Sequence, residues 1–360
     1  MRVSNGFGNI YRLTSFGESH GAAVGGIVEG CPAGIVLSVE EIQHELDRRR
    51  PGQSDVTTPR AEEDRLEILS GLFEGRTTGM PIAFLVRNRD ARSEDYFPLR
   101  DLYRPSHADY AWECKYGIRD PRGGGRSSAR EHIARVVAGA IARQVLSAQG
   151  IAIRAYTSRI GDLSLTLPYS GLPLDLAETN PVRCPDADLA QRMESLLRDL
   201  QEEGDTVGGT VTCVITGLPA GLGEPVFDRF QARLAYAMMG INAAKGFEYG
   251  SGFASAAMRG SAHNDPFILR DGQVRTATNR SGGIQGGVTN GEDVYFSVAF
   301  KPVSSIRLPQ HTLTRSGEDT LLALQGRHDP CVVPRAVPVV EAMAAMVTLD
   351  LLLAARTNRW

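Results

Sequence analysis

The chain has 360 residues, 42% hydrophobic and 22% charged, with a formal net charge of -3. Its mean hydropathy of -0.18 is that of a soluble globular protein, long enough for one large domain or two moderate ones. The balance of charge argues against a general nucleic-acid binder, and five scattered cysteines with no C-x-x-C pair offer neither a zinc site nor a disulfide framework, so a reducing cytoplasm is the default.

The N-terminal "MRVSNGFGNIYRLTSFGESHG" has no apolar stretch resembling a signal peptide. Its "GESHG" (17–21) matches G-x-S-x-G literally, with Ser19 in the nucleophile position. A nucleophile elbow needs strand, tight turn and helix, whereas the following "AAVGGIVEG" reads as a strand, so a serine hydrolase is the weaker alternative. "SVEEIQHELDRRR" (38–50) predicts a helix with a Ser38/Glu41 capping box and Ile42 and Leu46 on its apolar face. Its last turn carries Arg48, Arg49 and Arg50, where cations suit the helix dipole; for Arg48 and Arg50 a solvated helix end is the favoured reading.

Further on, "GGGRSSAREH" (123–132) places three glycines, an arginine and two serines before a helical run. Glycine there costs backbone entropy, so the local structure needs a conformation that glycine supplies, such as a nest of N–H groups that holds an anion. A second capping box, Ser128/Glu131, heads a helix with Ile133, Val136, Val137, Ala140 and Ile141 at helical spacing and Gly150 as its stop. "ADLAQRMESLLRDLQEEGD" predicts a third amphipathic helix burying Leu189, Met193, Leu196, Leu197 and Leu200, while "GGTVTCVITGLP" and "DVYFSVAFKP" read as half-buried strands. "VPVVEAMAAMVTLDLLLAAR" is strongly apolar but interrupted by Pro338, Glu341 and Asp350, which fits a buried helix better than a membrane span. With no tandem repeat, low-complexity segment or linker, residues 1–360 read as one α+β domain.

His20, His107 and His328 lie in polar, glycine-flanked or arginine-flanked segments, and histidine is the side chain best suited to trade protons near neutrality. Arginines recur in the same segments: Arg49, Arg60, Arg104, Arg126, Arg130 and Arg327. Guanidinium groups pair bidentately with carboxylates and phosphates, so the pattern points to a small polyanionic substrate. No P-loop and no G-x-G-x-x-G after a first strand is present, and no cluster points to a metal.

Taken together the segments resemble the chorismate synthase family over essentially the whole chain. The resemblance rests on "GESHGAAVGGIVEGCPAG" (17–34), "GGGRSSAREHIARVVAGA" (123–140) and "GRHDPCVVPRAVPVVEA" (326–342), in that order, with "DRRRPGQSDVTTPR", "RPSHADYAWECKYGIRD", "INAAKGFEYG", "SGGIQGGVTNG" and "KPVSSI" between them. It implies a lyase that converts 5-enolpyruvylshikimate 3-phosphate to chorismate by anti 1,4-elimination of phosphate. The family requires reduced FMN without net redox change, with NADPH a candidate reductant. By resemblance Arg126, Ser127, Ser128, Asn242, Ala243, Gly286, Lys301, Pro302, Val303, Ser304, Ser305 and Arg327 contact FMN. His20 protonates reduced flavin, His107 acts as acid toward the departing phosphate, and Asp329 helps remove the C6 proton. Arg49, Arg60 and Arg130 are assigned to substrate anions by motif and charge together. The implied fold is a β-α-β sandwich with internal duplication, assembled as a homotetramer. A non-enzymatic flavin- or nucleotide-binding interaction module, binding FMN without phosphate release, is a further alternative that the arginine-rich segments disfavour. Three positions depart from the family's pattern: His132 in place of threonine or serine, Ser106 in place of the glycine of "RPGHAD", and Asp55 where many members are basic.

Overall fold

The computed structural model describes residues 5–52, 63–89, 99–324 and 329–358. Arg60, Arg327, Asp55 and His328 lie outside the described residues.

Strands β1 (Arg12–Gly17) and β2 (Ala23–Glu29) form an antiparallel hairpin, with Arg12 opposite Glu29 and Gly17 opposite Val24. Helix α1 (Val39–Arg49) follows, then β3 (Leu66–Ile68) and β4 (Ile82–Arg87), and β4 inserts between β2 and β3. After the short α2 (Asp109–Tyr116), α3 (His132–Ser147) completes this half. The second half repeats the plan with longer connections. β5 (Ala152–Ile160) is followed by α4 (Ala187–Glu203), β6 (Gly209–Thr216), α5 (Phe230–Met239) and β7 (Ala244–Tyr249). The four-residue α6 (Gly260–His263), β8 (Val294–Phe300) and α7 (Val333–Ala355) complete it.

The spatial orders are β1-β2-β4-β3 and β5-β6-β8-β7, antiparallel throughout. In each half one helix links the second strand to the third, and a long helix follows the fourth. That is the internal duplication, invisible to hydrophobic periodicity because it lies in strand order. A two-residue edge strand, Gly6–Phe7 or Leu163–Ser164, brings each sheet to five strands.

The long helices lie between the sheets, α3 against β1 and β2, α7 against β5 and β6, and they pack on each other. Their approach depends on Gly139, because a Cβ there would stand 2.3 Å from Cα of Ala342. One apolar core draws on both halves, including Phe84, Ile133 and Ile141 from the first and Phe230, Phe296 and Met346 from the second.

Helix α7 contains the interrupted apolar run and is buried almost throughout. Its two acids are paired. Asp350 accepts N–H bonds from Asn9, Ile10 (2.7 Å) and Tyr11 (3.0 Å) and an ion pair from Arg233 at 3.0 Å. Glu341 accepts the Ala155 N–H at 2.8 Å and pairs with Arg48 at 2.6 Å and Arg143 at 3.2 Å. Arg48 is therefore buried in an ionic network with Glu45, Glu178 and Glu341, not on a solvated helix end. Arg50 is partly exposed, 3.8 Å from Asp47.

The helix starts also differ from the sequence reading. Ser38 caps α1 as expected, accepting the Glu41 N–H at 3.0 Å, but its own N–H goes to Gln144 at 2.8 Å instead of to Glu41. At the other predicted box, two 3₁₀ turns (Gly125–Ser127 and Ala129–Glu131) precede α3. Ser128 caps the second turn through the Arg130 N–H, and Glu131 points away to Ser15, Arg135 and Arg126. Tertiary partners outcompete the reciprocal cap. In α4, Leu189, Met193 and Leu197 are buried as predicted, while Leu196 and Leu200 are only half-buried.

Candidate active site

The duplication brings corresponding points of the two halves to one end of the sandwich. Residues at the end of α1 and after it, after β4 and before α3 come from the first half; residues after α5, after β8 and before α7 come from the second. Nearly all predicted site residues within the described segments fall on these six places or on the β1–β2 turn.

His20 stands in the β1–β2 turn. Its Nδ1 is 3.0 Å from Oγ of Ser19, and its ring rests on Gly123, where a Cβ would lie 2.3 Å from Nδ1. That close approach is one reason for glycine in the 123–125 run. Ser19 is buried in a turn between two strands, so the hydrolase elbow is absent. Just after β4, Asn88 donates from Nδ2 to the carbonyls of Glu18 and Gly21, both at 2.8 Å, and accepts from Nε of Arg130 at 2.8 Å.

Arg130 pairs with Asp64 at 3.1 Å, and Arg49 pairs with the other oxygen of Asp64 at 2.9 Å. Arg49 is only 2% exposed. Burial, with repulsion from Arg335, pulls its guanidinium down to about 10 against the attraction of Asp64, and burial pushes the Asp64 carboxyl up. The Arg49 carbonyl accepts from Nε of Arg335 at 3.3 Å, and Arg335 also donates to Asp329 at the start of α7. A continuous run of polar contacts thus leads from the His20 turn through Asn88, Arg130, Asp64, Arg49 and Arg335 to Asp329.

A second run crosses the segments that the resemblance assigns to the cofactor. Arg126 donates from Nη2 to Oγ of Ser15 at 2.8 Å and from Nη1 to the Gly17 carbonyl at 3.3 Å. Oγ of Ser127 donates to the Gly124 carbonyl, and the Ser127 carbonyl accepts from Asn242 at 2.5 Å. The Asn242 N–H donates to Nε2 of His132 at 3.4 Å. Burial, with repulsion from Arg135, Arg49 and Arg335, holds His132 well below its ordinary value and therefore neutral. Ala243 adopts φ +67°, and its carbonyl accepts the Lys301 N–H at 3.0 Å.

From Lys301 the run reaches His107. Nζ of Lys301 donates to Oγ of Ser106 at 3.1 Å and also to Ser304. His107 has Nδ1 3.1 Å from the Pro105 carbonyl and Nε2 3.2 Å from Oγ of Ser305. The carbonyl fixes the tautomer: Nδ1 carries the hydrogen and Nε2 accepts from the serine. Burial, then the Arg104 charge, lowers the His107 pKa. Ser106 has φ +59°, so it holds the left-handed conformation that glycine adopts freely. In the same segment Pro302 is exposed and Val303 contributes its carbonyl to Thr206 at 2.7 Å.

Gly286 is the exception. It sits in the turn of a two-residue hairpin beside the first residue of α5, since the Phe230 N–H donates to the Gly287 carbonyl at 2.8 Å. Asn242 follows the other end of that helix, roughly 15 Å away at 1.5 Å per residue. Within one chain Gly286 does not join the cluster. Sequence reasoning missed Asp64, Asn88 and Arg335, polar residues that look ordinary until the fold sets them between two predicted ones. Their only signal was adjacency to arginine-rich or strand-end segments.

The arrangement holds fixed cations, the imidazoles of His20 and His107, and the Asp329 carboxylate. That set can bind a polyanion and move a proton at each of two places. Among the described residues no group of histidines, cysteines and acids could hold a metal ion.

Comparison with known proteins points the same way. The profile of the chorismate synthase family matches residues 11–353. The chain is 58% identical to the chorismate synthase of Parabacteroides distasonis over 354 residues, covering 98% of this chain and 99% of that protein. It is 57% identical to that of Bacteroides thetaiotaomicron, covering 99% of each, and 57% identical to that of Opitutus terrae, covering 97% and 96%. A solved crystal structure of a chorismate synthase superimposes with a TM-score of 0.79 at 32% identity, covering 97% of this chain and 93% of that one.

Proposed function

We propose a division of labour among these residues on the premise that the chain belongs to the chorismate synthase family and is a lyase converting 5-enolpyruvylshikimate 3-phosphate to chorismate. The anti 1,4-elimination expels phosphate and removes a hydrogen from C6. The family's cofactor is a flavin. Arg126 and Lys301, beside the hydroxyls of Ser127, Ser304 and Ser305, suit a ligand with a phosphate and a polyhydroxyl chain. We assign that ligand as reduced FMN, held by residues 126–128, 242–243 and 301–305 with Arg327, and NADPH as a source of its electrons. When bound, it supplies electron density that is returned as phosphate leaves.

Arg130 and Arg49, with Arg60, receive the substrate's anions. Asp64 fixes the first two relative to each other. His107 is neutral in the free protein because burial and neighbouring cations oppose its charge. A phosphate beside Nε2 reverses that balance, so Nε2 takes up a proton and donates it to the leaving group. His20, engaged at Nδ1 by Ser19, exchanges its proton through Nε2 and sets the protonation of the reduced flavin. Asp329, oriented by Arg335, accepts the C6 proton.

What carries this reading is the continuous run of contacts from the His20 turn to Asp329, which gathers residues of both halves. The test is anaerobic incubation with substrate and pre-reduced FMN, with and without NADPH, following chorismate. Chorismate formed at full rate with oxidised FMN and no reductant overturns it. The same reading makes residues 1–360 one cytoplasmic catalytic unit, with neither nucleic acid nor membrane as partner. It assembles as a homotetramer, supported by the exposed Phe267, Leu269 and Val274 of the 267–276 hairpin. A solution mass measurement checks the assembly.

A further inference from the structure

We propose that Arg183 is a positioning residue for the substrate-anion cluster, its one guanidinium joining two helix carbonyls that lack helical donors and so setting α1 against the start of α7.

Arg183 lies in "NPVRCPD", in the long connection between β5 and β6, and is buried at 7% exposure. Its backbone has φ +55°, a left-handed conformation costing a non-glycine residue roughly 1–2 kcal/mol. Its carbonyl accepts the Thr157 N–H of β5 at 2.8 Å, which pins the residue to the second sheet.

The two acceptors share a defect. Nη1 donates at 2.9 Å to the carbonyl of Pro334, in the first turn of α7. In a regular helix that carbonyl would accept from residue 338, but residue 338 is Pro338 and has no N–H. Nη2 donates at 2.8 Å to the carbonyl of Arg48, in the last turn of α1, where carbonyls run out of intrahelical donors. The next carbonyl along, that of Arg49, is taken by Arg335. Two arginines therefore fasten the end of α1 to the beginning of α7.

Burying a guanidinium is costly, and an exposed helix end could use water instead. The fastening places Arg49 so that its side chain meets Asp64, which in turn holds Arg130. The inference rests on the proposed role of Arg49 and Arg130 toward substrate.

The experiment compares Arg183→Met, which loses both bonds, with Arg183→Lys, which can keep one, in the full-length protein. It measures substrate KM and kcat with pre-reduced FMN, FMN affinity and Tm. Arg183→Met is expected to raise KM roughly tenfold, as misplacing binding groups by a fraction of an ångström does, with Arg183→Lys in between. FMN affinity should move by less than about twofold. Adding Pro338→Ala, which returns a backbone donor to Pro334, should recover Tm without recovering KM. If KM is unchanged while Tm falls, or Pro338→Ala restores both, Arg183 is only a structural cap and the proposal is overturned. Should Arg183→Met fail to fold, an unchanged KM in Arg183→Lys overturns it equally. Arg49→Gln in the same assays separates the premise. An unchanged KM there overturns the reading of Arg49 and this inference together, whereas a raised KM beside a normal Arg183→Met overturns this inference alone.

Discussion

The two halves of the molecule share one strand order but use it differently. In the first, β1 and β2 are joined by a five-residue turn that delivers Ser19 and His20 to the site. In the second, the corresponding connection between β5 and β6 is an excursion through α4 that delivers Arg183, a brace. The first half also carries His107 and the arginines Arg49, Arg126 and Arg130. The second carries Asn242, Ala243 and residues 301–305, which the proposal gives to the flavin, with Asp329 and Arg335 at the start of α7. Duplication makes two equivalent frames cheaply in sequence information. Chemistry then needs them unequal, and the inequality sits in the connections, where insertion is tolerated.

The largest expected effects test whether proton transfer belongs to the first half's loops. His107→Ala and His20→Ala should fold, bind FMN as judged by its fluorescence, and each lose turnover by roughly 10²–10⁴-fold. Normal rates in both would move the proton chemistry elsewhere. Next, Arg49→Ala should raise the substrate KM and also destabilise the fold. The Arg49–Asp64 pair is buried, and removing one partner of such a pair costs about 3–5 kcal/mol. An unchanged Tm in that variant would show that the pair is not formed in solution.

A third prediction concerns protons on binding. His107 is lowered in the free protein and must gain a proton as phosphate arrives, so substrate binding near pH 7 should be accompanied by proton uptake. Calorimetry in buffers of different ionisation enthalpy measures it, and His107→Ala should abolish it. A smaller effect is expected at Ser106. Ser106→Gly removes a left-handed cost of roughly 1 kcal/mol but gives up the Lys301 contact, so Tm should shift by a few degrees at most with activity retained.

The smallest effect is assigned to His132→Thr, whose turnover should be near normal at pH 7. Its signature is in acid. The folded protein holds His132 neutral well below 6.5, whereas the unfolded chain protonates near 6.5. The unfolded state therefore binds the extra proton, and stability present above pH 6.5 is lost as pH falls. The threonine variant should lose less stability than the parent between pH 7 and pH 5 in denaturant titrations.

Much of the fold was legible where the signal is local. The strand at 23–29, the helix at 38–50 and the buried C-terminal helix all follow from apolar spacing and caps. The capping box at Ser128 failed because Glu131 finds better partners in Ser15 and Arg135, which are distant in sequence. Arg48 was misread for the same reason: a charge run at a helix end looks solvated until Glu341, 293 residues away, is brought to it. The candidate histidines and arginines stand out by motif, but their connection through Asp64, Asn88 and Arg335 is a property of the assembled fold.

The way Asp350 closes the molecule has a consequence for synthesis. It caps the N–H groups of Asn9, Ile10 and Tyr11, joining a segment near the beginning of the described chain to one near its end. Helix α3 of the first half likewise finds its apolar partner in α7. At translation rates of about 5–20 residues per second, roughly 10–40 s pass between the synthesis of α3 and that of its missing wall, α7. During that interval α3 lacks the partner against which its apolar face packs, so that face stays exposed until α7 emerges. Ribosome-bound chains halted before residue 333 should accordingly remain protease-sensitive throughout the first half, and chains extended by a linker past residue 358 should not.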